Sequence, residues 1–420
     1  MKADTIITDC GQIWTFQGSR SPRCGAQMSE AGMIMGGAIA IANGSILAIG
    51  PQSEILRDYQ ATELISARGM IVTPGFVDSH THPVFLHTRE NEFSQRLAGK
   101  SYVEISKAGG GIRSTIKSTR DADEDLLFEL AKTRVQRMIR SGTTTLEAKS
   151  GYALDTQGEL KQLRVIDRLA KALPIDVIPT FMGAHEYPQQ YKDDHEAYLD
   201  ILTSEMIPAV NEQGIAMFCD IFTEAHVYNI AESRRVLQCA ADHGLKLKMH
   251  ADEIEAMGGA ELAAELGCVS ADHLGAASDA GILALKSHGV IPVLLPATLF
   301  SLRSKSYARA RFMIDHDLPV AIATDYNPGS CNCDSMPFTM TLACLQMGMM
   351  PVEALCAATI NAAHAIGMGD KAGSLEPGKY ADFLIWDIPS IDFIPYHFGS
   401  SHIHAVYKRG RAIHLAESIL

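Results

Sequence analysis

The 420-residue chain has no long uninterrupted apolar run and no apolar leader segment. Its first residues, MKADTIITDCGQIW, are interrupted by polar side chains throughout. A membrane-spanning helix requires about 20 apolar residues, and a secretory signal requires an apolar segment of roughly 7 to 15. These absences predict a cytoplasmic protein without a transmembrane segment.

An excess of positive charge is also absent. Lys and Arg number 36 against 49 Asp and Glu, which gives a formal net charge of -13. Nucleic acid and anionic membrane surfaces repel such a protein. We therefore expect a small-molecule substrate, with neither nucleic acid nor a membrane as partner. The oligomeric state is left open, and a homodimer is compatible with this composition.

Two motifs with a known chemistry are also missing, the CxxC cysteine pair and the glycine-rich phosphate-binding loop. The nine cysteines include no CxxC pair, which argues against a disulfide framework and a structural zinc ribbon. The one close pair, Cys331 and Cys333 in GSCNCDS, is interpreted as a bystander to the chemistry. The glycine-rich KAGGGIRST lacks the Lys-Ser/Thr ending of a phosphate-binding loop, so we interpret it as a mobile loop or lid.

The middle of the chain alternates β-rich runs with amphipathic helical stretches. One such stretch, DADEDLLFELAKTRVQRMIRSG, begins with acids and ends with basic residues and Gly142. Eight βα units predict an α/β fold, a TIM-type (β/α)8 barrel over residues 71–369, rather than a doubly wound open sheet. The predicted strands are GMIVTPGFVDSH, TTTLEAKSG, IDVIPTFMGAH, AMFCDIFTE, LKLKMHADE, VSADHLG, VIPVLLP and PVAIATD.

Both chain ends differ from the middle and contain short alternating strands with Gly and Asn turns. The segments are IITDCGQIWTF, GAIAIANGSILAIG, ADFLIWDI and HAVYKRGRAIH. They predict a small antiparallel β-sandwich domain built from residues 1–70 and 370–420.

His80 and His82 form a His-x-His pair directly after the first predicted barrel strand, in TPGFVDSHTHPVF. Positions i and i+2 of a strand share one face, so the two imidazoles can converge on one ion. Alone, the pair could equally be two unrelated polar residues at a strand end, because short motifs have many false positives.

Other predicted strands carry metal-type side chains at the same end of the barrel. His250 and Glu253 follow strand five, His273 follows strand six and Asp325 follows strand eight. In a TIM barrel this end carries the active site, so the set predicts a Zn or Fe centre for metal-assisted hydrolysis. The structural alternatives are that His273 is a hydrogen-bonded core residue and that Asp325 caps a turn.

This arrangement resembles the amidohydrolase superfamily, whose barrel carries His-x-His after strand one, His after strands five and six, and Asp after strand eight. The segment GSLEPGKYADFLIWD is similar to the return of these enzymes to their small β domain. Many members bridge two metals with a lysine on strand four. Here strand four has no lysine and Lys149 lies on strand two, so the resemblance implies one Zn2+ or Fe3+ per chain.

Within the superfamily the chain resembles the enzymes that hydrolyse 4-imidazolone-5-propanoate to N-formimidoyl-L-glutamate in histidine degradation. The motifs are HTHPVFLHTRENEF, EAKSGYAL, MGAHEYP and DYNPGS, with the continuation CNCDS as a departure. The implied metal ligands are His80, His82, His250 and Asp325. The implied substrate contacts are Arg89, Tyr152, His185, Glu253, Asn327, Gly329 and Ser330. The proton-transfer candidates are Glu253, Asp325 and His273, the last as an imidazolium that stabilises the oxyanion.

Two alternative functions stay open. HADE also resembles the His-x-x-Glu of superfamily deaminases, so an aminohydrolase acting on a cyclic or formimino substrate is the nearest rival. A non-catalytic scaffold on the same fold is the second, and it is disfavoured because every expected ligand is present.

Overall fold

Two separate eight-stranded sheets organise the chain. The computed structural model describes residues 1–18, 20–100, 104 and 110–416. One sheet is formed by the middle of the sequence and the other by strands from both ends. Within the described residues, no helix has the length and apolar character needed to cross a membrane.

The first sheet is the predicted barrel, and its strands follow one another in chain order with parallel pairing throughout. A parallel bridge between Thr81 and Tyr326 joins the chain just beyond the first and last strands. The strands are β6 (Phe76–Asp78), β7 (Thr143–Lys149), β8 (Asp176–Ala184), β9 (Phe218–Thr223), β10 (Lys246–Ala251), β11 (Ser270–His273), β12 (Ile291–Leu294) and β13 (Ala321–Ile322).

Helices connect these strands, and their ends follow the predicted signals. Asp123 caps one of them by accepting from the backbone N–H groups of Asp125 and Leu126. The helices are α1 (Gln52–Asp58), α2 (Glu90–Leu97), α3 (Ile112–Asp121), α4 (Glu124–Arg140), α5 (Thr156–Ala172), α6 (His195–Ile201), α7 (Ile207–Gln213), α8 (Ile230–Asp242), α9 (Gly259–Glu265), α10 (Asp279–His288), α11 (Pro296–Ser301), α12 (Ala310–Asp315), α13 (Met336–Met347), α14 (Pro351–Ala357), α15 (Ile360–Ala365) and α16 (Phe393–Tyr396). Of the predicted lid KAGGGIRST, residues 107–109 lie outside the described residues, and α3 begins within the rest.

The second sheet confirms that both termini build one β unit with its own apolar core. Its strands are β1 (Lys2–Ile13), β2 (Ile34–Ala42), β3 (Ser45–Pro51), β4 (Gln60–Ser66), β5 (Ile71–Pro74), β14 (Phe383–Trp386), β15 (Ile403–Lys408) and β16 (Arg411–Leu415).

Two details of the predicted layout are wrong. The unit is a mixed sheet, because β1 pairs in parallel with β4 and β5. The predicted first barrel strand is also two strands: β5 pairs with β1 and β14 in the terminal sheet, and only β6 enters the barrel. Gly75 separates them, where a Cβ would lie 2.4 Å from the Thr144 side chain. An apolar run alone does not reveal such a change of sheet.

Candidate active site

His80, His82 and His250 lie together at the carboxyl end of the barrel. One ring nitrogen from each falls within 4.8 Å of the others, and all three side chains are buried. The Nε2 atoms of His80 and His82 are 3.3 Å apart. Burial lowers the pKa of both His80 and His82 well below the usual range, which keeps the imidazoles neutral as metal ligation requires.

Carboxylates orient two of these histidines through the Nδ1 atom, on the side of the ring away from the cluster. His80 Nδ1 lies 2.6 Å from Asp272 Oδ2, and His250 Nδ1 lies 3.0 Å from Asp220 Oδ1. An ionised carboxylate only accepts, so each Nδ1 carries the proton and each Nε2 keeps its lone pair. Histidine ligands in metal sites have this outer arrangement. The donor set therefore fits a Zn or Fe ion.

Asp325 lies beside the three histidines. Its Oδ1 is 3.6 Å from the Nε2 atoms of both His80 and His82, while Oδ2 accepts from Thr298 Oγ1 at 2.6 Å. Burial raises the pKa of Asp325 to about 6. One carboxylate oxygen is thus held by the protein and the other faces the histidines.

Glu253 and His273 face each other near the same centre. Burial, with Asp325 and Glu224 nearby, raises the pKa of Glu253 to about 8, so its carboxyl is protonated at neutral pH. Burial and the proximity of His250 lower the pKa of His273 well below the usual range. Burial therefore favours a neutral ring at His273 over the predicted imidazolium. His273 Nδ1 lies 3.5 Å from Glu253 Oε2.

These residues line a cavity of about 460 Å³ that also contains Arg89. Arg89 is tied to the loop after β13, since its backbone N–H donates to the Pro328 carbonyl at 3.2 Å. Its Nε and Nη1 are buried without a hydrogen-bond partner. A Cβ on Gly329 would lie 1.1 Å from Arg89 Nη2, so this position must be glycine for the guanidinium to lie there. Glu92 Oε2 lies 3.8 Å from Nε, an ion pair without a hydrogen bond, so the guanidinium keeps N–H groups that an anionic ligand can use.

Tyr152 and His185 form the aromatic side of the cavity. The His185 ring stacks on His82 with centroids 5.2 Å apart, and Tyr152 lies at the same centroid distance from His185. His185 Nδ1 donates to the Gly151 carbonyl at 3.0 Å. Burial lowers the pKa of His185 to about 3, so the ring is neutral and its Nε2 is an acceptor.

Asn327 and Ser330 complete the predicted set, and both line the cavity. The Asn327 side chain is already committed to its own loop. Its Oδ1 accepts from the backbone N–H groups of Gly329, Ser330 and Cys331, and its Nδ2 donates to the Asp325 carbonyl and to Ser330 Oγ. This geometry favours loop organisation over direct ligand binding by the Asn327 side chain.

Sequence reasoning missed the polar side chains inside the barrel. Asp220 and Asp272 orient the histidines, Thr298 orients Asp325, and Lys149 pairs with Asp220. A signal existed, because AMFCDIF and VSADH place a carboxylate within an otherwise apolar strand. Cavity-lining residues that were also missed are Ile112, Glu186, Phe222, His226, Val227, Ile254 and Leu302.

None of the nine cysteines lines the cavity described above. All nine are free. Cys331 is buried beneath the loop after β13 with Ala297 and Leu342, and its Sγ lies 3.2 Å from the Thr324 carbonyl. Burial raises the pKa of the Cys331 thiol well above the usual range, which makes it a poor nucleophile.

Comparison with known proteins identifies the enzyme family to which this chain belongs. A model of the amidohydrolase family matches residues 71–413. The chain therefore belongs to the amidohydrolase family. Imidazolonepropionase from Symbiobacterium thermophilum is 50% identical over 98% of this chain and 97% of its own length. Imidazolonepropionase from Geobacillus kaustophilus is 48% identical over 96% of each chain. Within the amidohydrolases, the chain is thus a member of the imidazolonepropionase family.

Solved structures confirm the architecture. An adenosine deaminase from Xanthomonas campestris with bound zinc has a TM-score of 0.71 at 19% identity and covers 98% of this chain and 93% of its own. Guanine deaminase from E. coli has a TM-score of 0.72 at 16% identity and covers 98% and 99%. At such low identity the likeness concerns the fold alone.

Proposed function

We propose that the protein hydrolyses 4-imidazolone-5-propanoate to N-formimidoyl-L-glutamate in histidine degradation. The observation that carries the proposal is that one cavity, lined by His82 and His250 of the three-histidine centre, also contains an arginine whose buried Nε and Nη1 make no hydrogen bond. The first feature suits hydrolysis, and the second suits a substrate with a carboxylate arm. The two relatives named imidazolonepropionase, at 50% and 48% identity, support this substrate.

His80, His82, His250 and Asp325 would hold one Zn2+ or Fe3+ ion. When bound, the ion would lower the pKa of a water molecule and polarise the ring carbonyl. A single ion is favoured because Lys149, the nearby lysine, is occupied by ion pairs with Glu147 and Asp220 at 2.8 and 2.6 Å.

Substrate orientation would come from both sides of the cavity. Arg89 binds the propanoate through its unpartnered N–H groups, which can hold a carboxylate with two parallel hydrogen bonds. On the aromatic side, His185 Nε2 accepts from a ring N–H, and Tyr152 packs against the ring. Together they hold the carbonyl carbon near the histidine centre.

Proton transfer follows from the ionisation states of the two carboxyl groups. Asp325, with a pKa of about 6, is ionised at neutral pH and takes the proton from the attacking water. Glu253 begins protonated and delivers its proton to the ring nitrogen as the C–N bond breaks. Neutral His273 donates one ring N–H to the carbonyl oxygen as negative charge develops there.

A product assay tests this proposal. Purified protein with its metal is given 4-imidazolone-5-propanoate, and N-formimidoyl-L-glutamate and ammonia are measured. We expect formimidoylglutamate in proportion to substrate consumed, and no ammonia. Ammonia release from this or a related cyclic substrate would favour a deaminase instead. Absence of both products would support a non-catalytic scaffold.

Metal content is tested in the same preparation. We expect one Zn or Fe per chain, and His250→Ala should lose both metal and activity because one ligand and its Asp220 contact are removed. His243→Ala is the matched control, since that histidine follows α8 and donates to the Cys239 carbonyl, away from the three-histidine cluster. Full metal content in His250→Ala would contradict the assigned ligand set.

A further inference from the structure

Beside the three histidines, the barrel interior holds a group of buried charges. Glu147, Lys149, Asp220, Lys248 and Asp272 have side chains with no solvent exposure. Three are carboxylates and two are ammonium groups. Unpaired, three buried carboxylates would repel one another strongly, because no water screens them.

Asp220 uses its two oxygens for different partners. Oδ1 accepts from His250 Nδ1 at 3.0 Å and from the His250 backbone N–H at 3.2 Å. Oδ2 accepts from Lys149 Nζ at 2.6 Å. The Ile221 backbone N–H also donates to Oδ1 at 2.7 Å, so backbone groups hold one oxygen of this carboxylate and Lys149 holds the other.

Asp272 has a related arrangement around the second histidine. Its Oδ2 accepts from His80 Nδ1 at 2.6 Å and lies 3.9 Å from Lys149 Nζ. The Lys149 ammonium also donates to Glu147 Oε1 at 2.9 Å. One ammonium thus contacts both carboxylates that orient metal-binding histidines.

Lys248 does not duplicate this role. Its Nζ donates to the Ser79 carbonyl at 3.1 Å and lies 3.6 Å from both Glu147 Oε1 and Asp272 Oδ2. No ion pair between Lys248 and Asp220 is found among the described residues. Lys149 is the lysine that links the His250 side of the site to the His80 side.

We propose that Lys149 is a positioning residue of the metal centre: its ammonium donates to Asp220 Oδ2 and places a positive charge between Asp220 and Asp272, which keeps His250 Nε2 and His80 Nε2 directed to one shared point. Asp272 itself is held by the Ser270 hydroxyl at 2.6 Å. This inference rests on the proposed metal-dependent function. Without Lys149, Asp220 Oδ2 has no donor, and the two carboxylates lose the cation between them. Asp220 would then be held through Oδ1 alone, with a buried and unpaired Oδ2, and the metal would bind less tightly.

The test compares three variants of the full-length protein. Lys149→Met removes the ammonium at similar volume, and Lys149→Gln keeps an N–H donor for Asp220. Lys408→Met is the matched control. Lys408 is also buried and pairs with Asp176 and Asp382 at 2.6 and 2.7 Å, but it lies in β15 of the terminal sheet. The readouts are the Zn2+ dissociation constant by chelator competition and the visible spectrum of each protein saturated with Co2+.

We expect Lys149→Met to weaken Zn2+ binding by roughly 10- to 100-fold, the range seen when partners of metal ligands are lost. Its Co2+ spectrum should change in position or intensity even at saturation, because the ligand geometry changes. Lys149→Gln should recover part of the affinity. Lys408→Met should retain wild-type affinity and spectrum, even if its thermal unfolding midpoint falls.

Three results would overturn the inference. The first is wild-type affinity and spectrum in Lys149→Met, and the second is equal weakening in Lys408→Met, which would indicate general destabilisation. If Lys149→Met does not fold, Lys149→Gln is used in its place. Wild-type Zn2+ affinity and a wild-type Co2+ spectrum in Lys149→Gln would then be the third result. A wild-type protein that binds no metal would instead overturn the proposed function, and this inference with it.

Discussion

His273, Leu274 and Asp325 adopt left-handed backbone conformations, with φ of 74°, 57° and 51°. Residues with a Cβ rarely do so, and each such residue costs on the order of 1–3 kcal/mol. His273 ends β11, Leu274 follows it, and Asp325 lies just beyond β13, all at the end of the barrel that carries the histidine centre. Asp325 is held there by its backbone N–H to the His80 carbonyl and by Thr298. In this conformation Asp325 Oδ1 lies 3.6 Å from the Nε2 atoms of His80 and His82.

Glu253 provides a test of proton transfer at this scale. Glu253→Gln should keep the metal and lose most turnover, because an amide preserves shape and cannot deliver a proton. In the wild type, a pKa of about 8 means that kcat/KM should fall as pH rises through about 8, where the required proton is lost. The pH profile of both proteins and their metal content provide the measurement.

The same pKa has a consequence for stability with a definite sign. The folded-state pKa of Glu253 is raised above its ordinary value, so the folded state binds this proton more tightly than the unfolded state does. The wild type therefore loses stability as pH rises from about 4.5 to 8, and Glu253→Gln does not. Near-normal turnover in Glu253→Gln would show that Glu253 does not transfer a proton in the reaction. The same follows if kcat/KM of Glu253→Gln falls above pH 8 as it does in the wild type.

Arg89 tests the substrate. Arg89→Met should keep its metal and raise KM, because a charge-assisted pair contributes about 1.5–3 kcal/mol. That corresponds to a loss of roughly tenfold to a hundredfold in kcat/KM. Arg89→Lys should recover only part, since a point charge cannot reproduce the planar fork. An imidazolone without the carboxylate should respond little to either change, and equal KM for wild type and Arg89→Met would contradict the proposed orientation.

At the scale of elements, buried polar side chains hold the loops that carry the site. Glu159 on α5 accepts from the backbone N–H groups of Gly151, Ala153 and Leu154 at 2.9, 2.9 and 2.8 Å, which fixes the loop of Tyr152. Each loop thus depends on a carboxylate or amide from a neighbouring element.

Glu224 does the same for the loop after β10. Its oxygens accept from the backbone N–H groups of Ile254 and Glu255 at 2.9 and 3.2 Å. Glu253 directly precedes these residues, so its carboxyl is placed by a residue that follows β9.

Gly329 offers a test of how the loop after β13 fits Arg89. Gly329→Ala should displace the guanidinium, because the new Cβ would lie 1.1 Å from Nη2. We expect KM to rise at least tenfold, with metal content unchanged. Gly50→Ala is the control, since its Cβ would meet only Ile55 Cδ1 at 3.9 Å. Steady-state kinetics of both variants gives the measurement. An unchanged KM in Gly329→Ala would indicate that the Arg89 guanidinium does not bind the substrate from this position.

At the scale of the whole molecule, the two sheets are joined by specific buried contacts. Trp386 of β14 packs edge-on against Phe76 of β6 with centroids 5.8 Å apart. Within the terminal sheet, a hydrogen bond from its Nε1 to Thr73 Oγ1 of β5 at 2.9 Å fixes the indole for this contact. Lys408 of β15 pairs with Asp176 of β8 at 2.6 Å. The terminal sheet therefore supports the first and third barrel strands.

Trp386→Phe tests this support. The variant loses the hydrogen bond to Thr73 and part of the contact with Phe76, so the free energy of unfolding should fall by about 1–3 kcal/mol. Turnover should stay close to that of the wild type, because the site lies at the other end of the first strand. Urea unfolding provides the measurement. Phe398→Leu, at an exposed aromatic, should change stability by less than about 0.5 kcal/mol. Equal stability of Trp386→Phe and wild type would show that the sheets do not depend on this contact.

The sequence by itself determined the eight barrel strands, helices such as α4 and the β unit formed by both termini. Apolar periodicity, caps and turn residues are local signals, and they need no knowledge of distant contacts. It also placed His80, His82 and His250 at one end of the barrel, because strand ends in a parallel barrel share a face.

Only the tertiary structure decided that residues 69–80 divide between two sheets. It also decided that Asp220 and Asp272 contact the histidines with Lys149 beside them, and that the Asn327 side chain forms hydrogen bonds within its own loop. The ionisation of Glu253 and His273 also belongs here. A pKa depends on desolvation and on charges brought close by distant segments, which are set by packing and not by the residues adjacent in sequence.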